Sequence, residues 1–269
     1  MKNILFTYIV FILITFTASL IYVEYVNKNT PRAIREKTIN TNEFKETSIV
    51  PDIIKTINKA NSDIKTLNCK NLSIKIEQEG KVFGLKGFLN YEKNNNFRLK
   101  ASSFAGLELE MGSNSTHFWF WSKRMQPKAL YYCRHGYLHN TRLRSPFVPM
   151  WIMSSLGIDE IEKNSIFKES NGKIYASKDV ESSNGKVAHA VIVDNNKIIG
   201  YYLFNSNNQI TTLSQIETEN NIPKRIYIEW KEENVSMELL LNNVTINNYV
   251  NRSTFNMPEY PKTINMEGY

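Results

Sequence analysis

The spacing of apolar residues changes several times along the chain, and each change marks an element. Residues Ile4 to Val23 run without a charge, and about twenty apolar residues are what a bilayer-spanning helix needs. Residues 24–47 are polar and aperiodic and predict a linker. Then Val50, Ile53, Ile54, Ile57, Ala60, Ile64 and Leu67 line one face of a helical period, with Pro51 near its start. Proline is harmless in a first turn, where its missing N–H would have had no partner.

After Cys69 the period drops to two. Leu72, Ile74 and Ile76 alternate with polar residues, as do Leu85, Gly87, Leu89 and Tyr91 after a turn at Glu79-Gly80. Asn94 to Asn96 marks a turn before Phe97, Leu99 and Ala101, and Leu107, Leu109 and Met111 follow. Gly112-Ser113-Asn114 reads as the next turn, ahead of strands over Thr116–Ser122 and Ala129–Cys133. Further strands are predicted at 173–177, 187–193, 198–204, 209–214, 225–230 and 235–241, separated by Asn-rich turns. The pattern predicts roughly eleven or twelve short antiparallel strands. One apolar segment, Pro146 to Ile158, interrupts them and reads as a short helix.

A single sheet of that many strands must curl. Two helices are at hand to cover its concave side. The expected fold is mainly β with α: a curved, incomplete antiparallel β-barrel, or half-barrel, covered by an N-terminal helix and a short mid-chain helix. The domain reading is an anchor or signal peptide over 1–25, a linker over 26–47 and the half-barrel over 48–269.

Composition refines this picture. Hydrophobic residues make up 42% and charged residues 22%, which excludes wholesale disorder. Fourteen Phe and fourteen Tyr favour strands. Abundant Asn, Ile and Lys read as compositional bias. The net charge is +7, part of it in Lys28, Arg32, Arg35 and Lys37, where basic residues attract anionic head groups. No basic run is interleaved with aromatics, so nucleic acid is not an expected partner. The first apolar run is longer than a signal-peptide core, and Thr17-Ala18-Ser19 is a weak cleavage site. An uncleaved anchor is favoured over a cleaved signal, and either exports the body. No cysteine lies nearby, so there is no lipobox. Cys69 and Cys133 either pair in an oxidising compartment or stay as two buried thiols.

Catalytic signatures are sparse. Cys133, His135 and His139 have a ligand-like spacing without a fourth ligand. There is no Gly-x-Ser-x-Gly turn, Walker loop or Gly-x-Gly-x-x-Gly. Glu108 and Glu110 share a strand face and are expected to face solvent. The reading is of a binding protein, not an enzyme, with no cofactor.

Three stretches carry a resemblance: GFLNYEKNNNFRLKA (87–101), MGSNSTHFWFWSKRMQPKALYY (111–132) and NNYVNRSTFNMPEYPKTINM (247–266). With the order helix, meander, apolar helix, meander, the chain from Ser48 to Met266 resembles the LolA/LolB family of periplasmic lipoprotein carriers. The resemblance implies a hydrophobic cavity that binds and transfers acyl chains of a lipoprotein or lipid. It places the protein in the periplasm, anchored to the inner membrane or free there if the N-terminus is cleaved. Alternatives on the same fold are a membrane-anchored lipid or lipoprotein sensor with a transport or signalling partner, and a structural envelope protein.

Acyl chains offer no hydrogen bonds, so their site must be apolar area kept from collapsing. On the strands the lining candidates are Leu89, Tyr91, Phe97, Leu99, Leu107, Leu109 and Met111, followed by Leu130 and Tyr132. Phe118 and Phe120 share one face of their strand and Trp119 and Trp121 the other. The pattern leaves open which pair turns inward, and Phe118 and Phe120 are taken as candidates. Met150, Trp151 and Met153, with Leu156, would cover the cavity, since Met adapts to irregular ligands. The resemblance further implies a basic residue at the mouth, for which Lys93 and Arg98 are the candidates.

Overall fold

The computed structural model describes residues 45–46, 51–123, 125–140, 149–182 and 185–267. The Ile4–Val23 run and the 26–44 part of the linker lie outside them. No helix among the described residues is long and apolar enough to cross a membrane.

A two-residue strand, β1 (Lys45–Glu46), precedes helix α1 (Pro51–Ser62). A first meander follows: β2 (Thr66–Gln78), β3 (Lys81–Glu92), β4 (Asn96–Ser103), β5 (Gly106–Ser113), β6 (His117–Ser122) and β7 (Leu130–Arg134). A 3-10 turn (His135–Asn140) and helix α2 (Pro149–Ser154) lead to a second meander. It comprises β8 (Ile166–Ser170), β9 (Lys173–Ser182), β10 (Gly185–Asp194), β11 (Lys197–Phe204), β12 (Ile210–Glu219), β13 (Ile222–Trp230) and β14 (Val235–Ile246). The chain ends in a 3-10 turn (Arg252–Phe255) and β15 (Thr263–Asn265).

All strands form one sheet, in the order β1-β8-β9-β10-β11-β12-β13-β14-β2-β3-β4-β5-β6-β7-β15. Its outer strands, β1 and β15, do not pair, so the curved sheet stays open, as the sequence predicts. The two meanders join at its centre, where β14 pairs β2 antiparallel from Val235↔Gln78 to Ile246↔Leu67. The parallel pair β15/β7 is the one exception to antiparallel pairing among the described strands.

Three short strands, β1, β8 and β15, escaped the sequence reading. They span two to five residues, too few for a period of two to register. The hairpin turns share one chemistry, and of those named next the sequence reading found Glu79-Gly80 and Asn195-Asn196. Glu79-Gly80, Asn171-Gly172, Asn195-Asn196 and Asn220-Asn221 each place two consecutive residues at positive φ. That is the turn whose twist matches the flanking strands. Eleven of the twelve described non-glycine residues with positive φ are Asn, so much of the Asn content serves turns and is more than bias. Gly112 is not the turn residue that the sequence predicts. It lies inside β5, where a Cβ would meet the Trp119 ring at 2.5 Å.

The strand order dictates where the helices go. β7 and β8 are consecutive in the chain but lie at opposite ends of the sheet, so their connection must cross it. The apolar side chains of that crossing, Ile152, Met153, Leu156, Ile158 and Ile161, join Ile54 and Ile57 of α1 in the concave core. Burying such a side chain is worth about 1.5–3 kcal/mol. Two asparagines lock α1 to the crossing. Asn58 Nδ2 donates to the Ile161 carbonyl at 2.8 Å and its Oδ1 accepts from the Ile161 N–H at 2.8 Å. Asn61 Nδ2 donates to the carbonyls of Asp159 (2.8 Å) and Gly157 (3.3 Å).

On the convex side the C-terminal segment runs from β14 back over the first meander to reach β7. It covers a polar and aromatic row that the sequence reading misplaced. Glu110 is 1% exposed and Glu108 6% exposed, not solvent-facing. Glu110 pairs with Arg98 and accepts from the Tyr260 hydroxyl at 2.8 Å. Glu108 pairs with Lys123 at 3.1 Å. A pattern of alternating charge reads as a wet face unless a distant segment is known to lie on it.

Candidate functional site

The concave side of the first meander is filled by the protein's own side chains. The described cavity lies on the other side of α2, between that helix, the 159–165 segment and strands β9 to β11. Its volume is about 660 Å³, within the range of small-molecule sites. Inward residues of three neighbouring strands form the floor: Ala176, Val191, Ile198, Gly200 and Tyr201. Gly200 is required by the sheet itself, since a Cβ there would meet the Ser214 carbonyl oxygen at 2.0 Å. Trp151, Met153 and Ile161 form the opposing wall. Tyr201 holds that wall in place: its hydroxyl donates to the Trp151 carbonyl at 3.2 Å, which also accepts from Ser155 Oγ at 2.6 Å.

The rim is charged. Lys93 and the Asn94-Asn95 turn come from the β3–β4 hairpin, and Asp159, Glu160 and Glu162 from the crossing. Lys93 Nζ meets Glu160 at 2.5 Å, and Lys178 pairs with Glu162. Burial raises the Asp159 carboxyl above its ordinary range, against the Ser154 hydrogen bond and the two lysines. Burial, with Asp159 and Glu160 nearby, likewise raises the Tyr91 phenol.

A polar ring is set into the apolar interior. His189, on β10, is 8% exposed and tilts between the rings of Trp151 (5.7 Å) and Tyr201 (5.3 Å). Its Nε2 has no hydrogen-bond partner among the described residues. Burial, helped by Lys178, pushes its pKa down to about 4, so the ring is neutral near pH 7.

This architecture has counterparts among solved structures. A LolA superfamily protein from Nitrosomonas europaea superposes with a TM-score of 0.50, at 11% identity over 77% of this chain and 96% of its own. A domain from Vibrio parahaemolyticus assigned to outer membrane lipoprotein sorting superposes with a TM-score of 0.50, at 10% identity over 76% of this chain and 94% of its own. The chain has the LolA fold. No family model matches its sequence, and no curated protein does.

Within the LolA fold the predicted site residues fall into four groups. Tyr91, Lys93, Trp151 and Met153 line the cavity. Leu89, Phe97, Leu99, Met111, Phe118 and Phe120 belong to the packed concave core, with Leu109 half-buried against it. Phe118 and Phe120 are thus the inward pair, and Trp119 packs on the convex side beside Arg98. Leu107 is half-buried at the β4–β5 bulge, outside that core.

The third group lies on the wrong face. Leu130 and Tyr132 alternate with Ala129, Tyr131 and Cys133, and it is the latter three that enter the concave core. Both faces of that strand are apolar, so composition could not orient it. The pairing Phe120↔Tyr131 does, with those rings stacked at 5.3 Å. Arg98 is also convex and away from the cavity. Its Nη1 donates to the Asn256 carbonyl at 2.8 Å, and its guanidinium lies 5.6 Å from the Trp119 ring. Met150, the fourth case, is in α2, and its side chain lies outside the described residues.

The cysteines are free and buried. The Cys133 thiol, pushed up to about 11 mainly by burial, turns into the core, whereas His135 Nε2 contacts the Asn114 carbonyl at 2.7 Å. No metal-like cluster occurs among the described residues, and the His139 side chain lies outside them. Ala176, Val191, His189, Ile198 and Tyr201 were missed. The available signal was His189 itself, a polar residue at an inward position of an otherwise apolar strand.

Proposed function

We propose that this chain binds acyl chains of a lipid or lipoprotein in the cavity between α2 and β9–β11, and passes them on without covalent chemistry. The observation that carries the reading is a cavity of about 660 Å³ with an apolar floor and a charged rim in a chain of LolA fold. Apolar chains gain by leaving water for the floor, while Lys93, Glu160, Lys178 and Glu162 keep the entrance wet. The related structure described as lipoprotein-sorting supports the choice of ligand class. Export through the Ile4–Val23 segment would place the cavity in the periplasm, beside the inner membrane.

The test is lipid extraction and mass spectrometry of protein purified from cells. Wild type is expected to carry acyl lipid. Val191→Trp, which fills the cavity from a half-buried position, is expected to lose it while keeping its circular dichroism spectrum. Wild-type protein free of lipid, and unable to take up a fluorescent fatty acid, would overturn the proposal. That result would favour a structural envelope protein, the reading supported by the side chains that already fill the first meander.

A further inference from the structure

Among the described residues that line the cavity, His189 Nε2 is the buried polar atom without a partner. Other buried side-chain atoms lack partners among the described residues, on Trp119, Trp230 and Ser214 for example, but their residues do not line the cavity. A polar atom buried without a partner is costly, and one that lines a binding site can be satisfied by water or by the ligand. The rim narrows the chemistry. Its two lysines already face Glu160 and Glu162, and Asp159 adds a third carboxyl. Among the described rim residues there is no surplus positive charge for a phosphate or a fatty-acid carboxylate. The neutral imidazole can present Nε2 as an N–H donor, its tautomer set by the ligand. A neutral acceptor attached to an acyl chain matches both the nitrogen and the apolar floor around it.

We propose that His189 Nε2–H donates to the ester carbonyl of an acylglycerol whose chain lies along Val191, Ile198 and Trp151. The proposal rests on the acyl-binding reading above and names its ligand class: ester-linked glycerides, either as free lipid or as the diacylglyceryl group of a lipoprotein. His189 is then a specificity-determining residue.

The discriminating ligands are dioctanoylglycerol, a diester, and dioctylglycerol, the diether without carbonyls. Affinities for the detergent-solubilised full chain are measured by native mass spectrometry. Wild type is expected to prefer the diester by about fivefold, the worth of one net hydrogen bond. His189→Phe is expected to bind both ligands alike, near the wild-type affinity for the diether, and His189→Gln to keep part of the preference. Equal binding of both ligands by wild type would overturn the role of His189 and leave acyl binding standing. Binding of neither would overturn both. The wild-type comparison holds even if His189→Phe fails to fold. A lipopeptide with two ester-linked octanoyl chains separates the sources. Preference extending to it points to lipoprotein, and preference confined to the glyceride points to free lipid.

Discussion

Lys93 and Arg98 come from one hairpin, and sequence reasoning paired them as mouth residues, yet they have opposite physical roles. Lys93 is a rim charge in a partly exposed ion pair, and such pairs contribute about 0–1 kcal/mol. Arg98 is 8% exposed and bound to Glu110, Asn256 and the Trp119 face. Removing one partner of a buried pair costs up to about 3–5 kcal/mol, here reduced because Glu110 keeps Lys100 at 3.5 Å and the Tyr260 hydroxyl. Urea unfolding should therefore show a large loss for Arg98→Met, less than about 1 kcal/mol for Lys93→Met, and partial recovery in Arg98→Met/Glu110→Leu. His189 makes a different kind of contribution. Its pKa is 6.5 when unperturbed and about 4 in the folded protein. Between these values the unfolded chain takes up a proton that the folded chain refuses, so acidification favours unfolding. This cost is absent above pH 6.5 and grows towards pH 4, to at most about 3 kcal/mol. Comparing urea midpoints at about pH 7.5 and about pH 5, His189→Phe should show the smaller acid loss.

Among the elements, α1 and the crossing between the meanders act as a unit. The helix was legible from its 3.6-residue period, although it ends at Ser62 and Leu67, read with it, belongs to β2; the apolar character of α2 was legible too. Their mutual contact was not, because Asn58 and Asn61 look like ordinary polar positions until Gly157, Asp159 and Ile161 are brought beside them. Asn61→Ala removes the two hydrogen bonds to the Gly157 and Asp159 carbonyls. It should destabilise the protein by about 1–3 kcal/mol and raise amide hydrogen exchange across residues 156–161, next to the cavity wall. Apart from β8, the strands of both meanders were likewise legible. Individual faces were not, wherever both sides of a strand are apolar, as in Leu130–Cys133.

At the scale of the whole molecule, the sheet has two differently covered sides. Its concave side holds the packed core and, beyond α2, the cavity. Its convex side is covered over β4 to β7 by the returning C-terminal segment, tied down where Arg134 meets Glu267 at 2.7 Å and Tyr260 lies 5.5 Å from Trp121. Ending the chain after Ile246 would uncover Trp119 and strand the Arg98–Glu110 pair. That variant is expected to bind the dye ANS and lose near-ultraviolet dichroism; unchanged spectra would show that the segment is dispensable.

Local physics determined much of this from the sequence alone. Side-chain period set helix against strand, Asn and Gly at positive φ set the hairpins, and a chain rich in short strands had to form a curved sheet. The location of the cavity depended on tertiary structure. Strand order sends the β7–β8 connection across the sheet and fills one half of the concave side, leaving space in the other. It also decides that the C-terminal segment buries Arg98 and Glu110, and that His189 meets Trp151 and Tyr201. Those contacts join residues far apart in the chain, and no period or turn signal within a strand carries information about them.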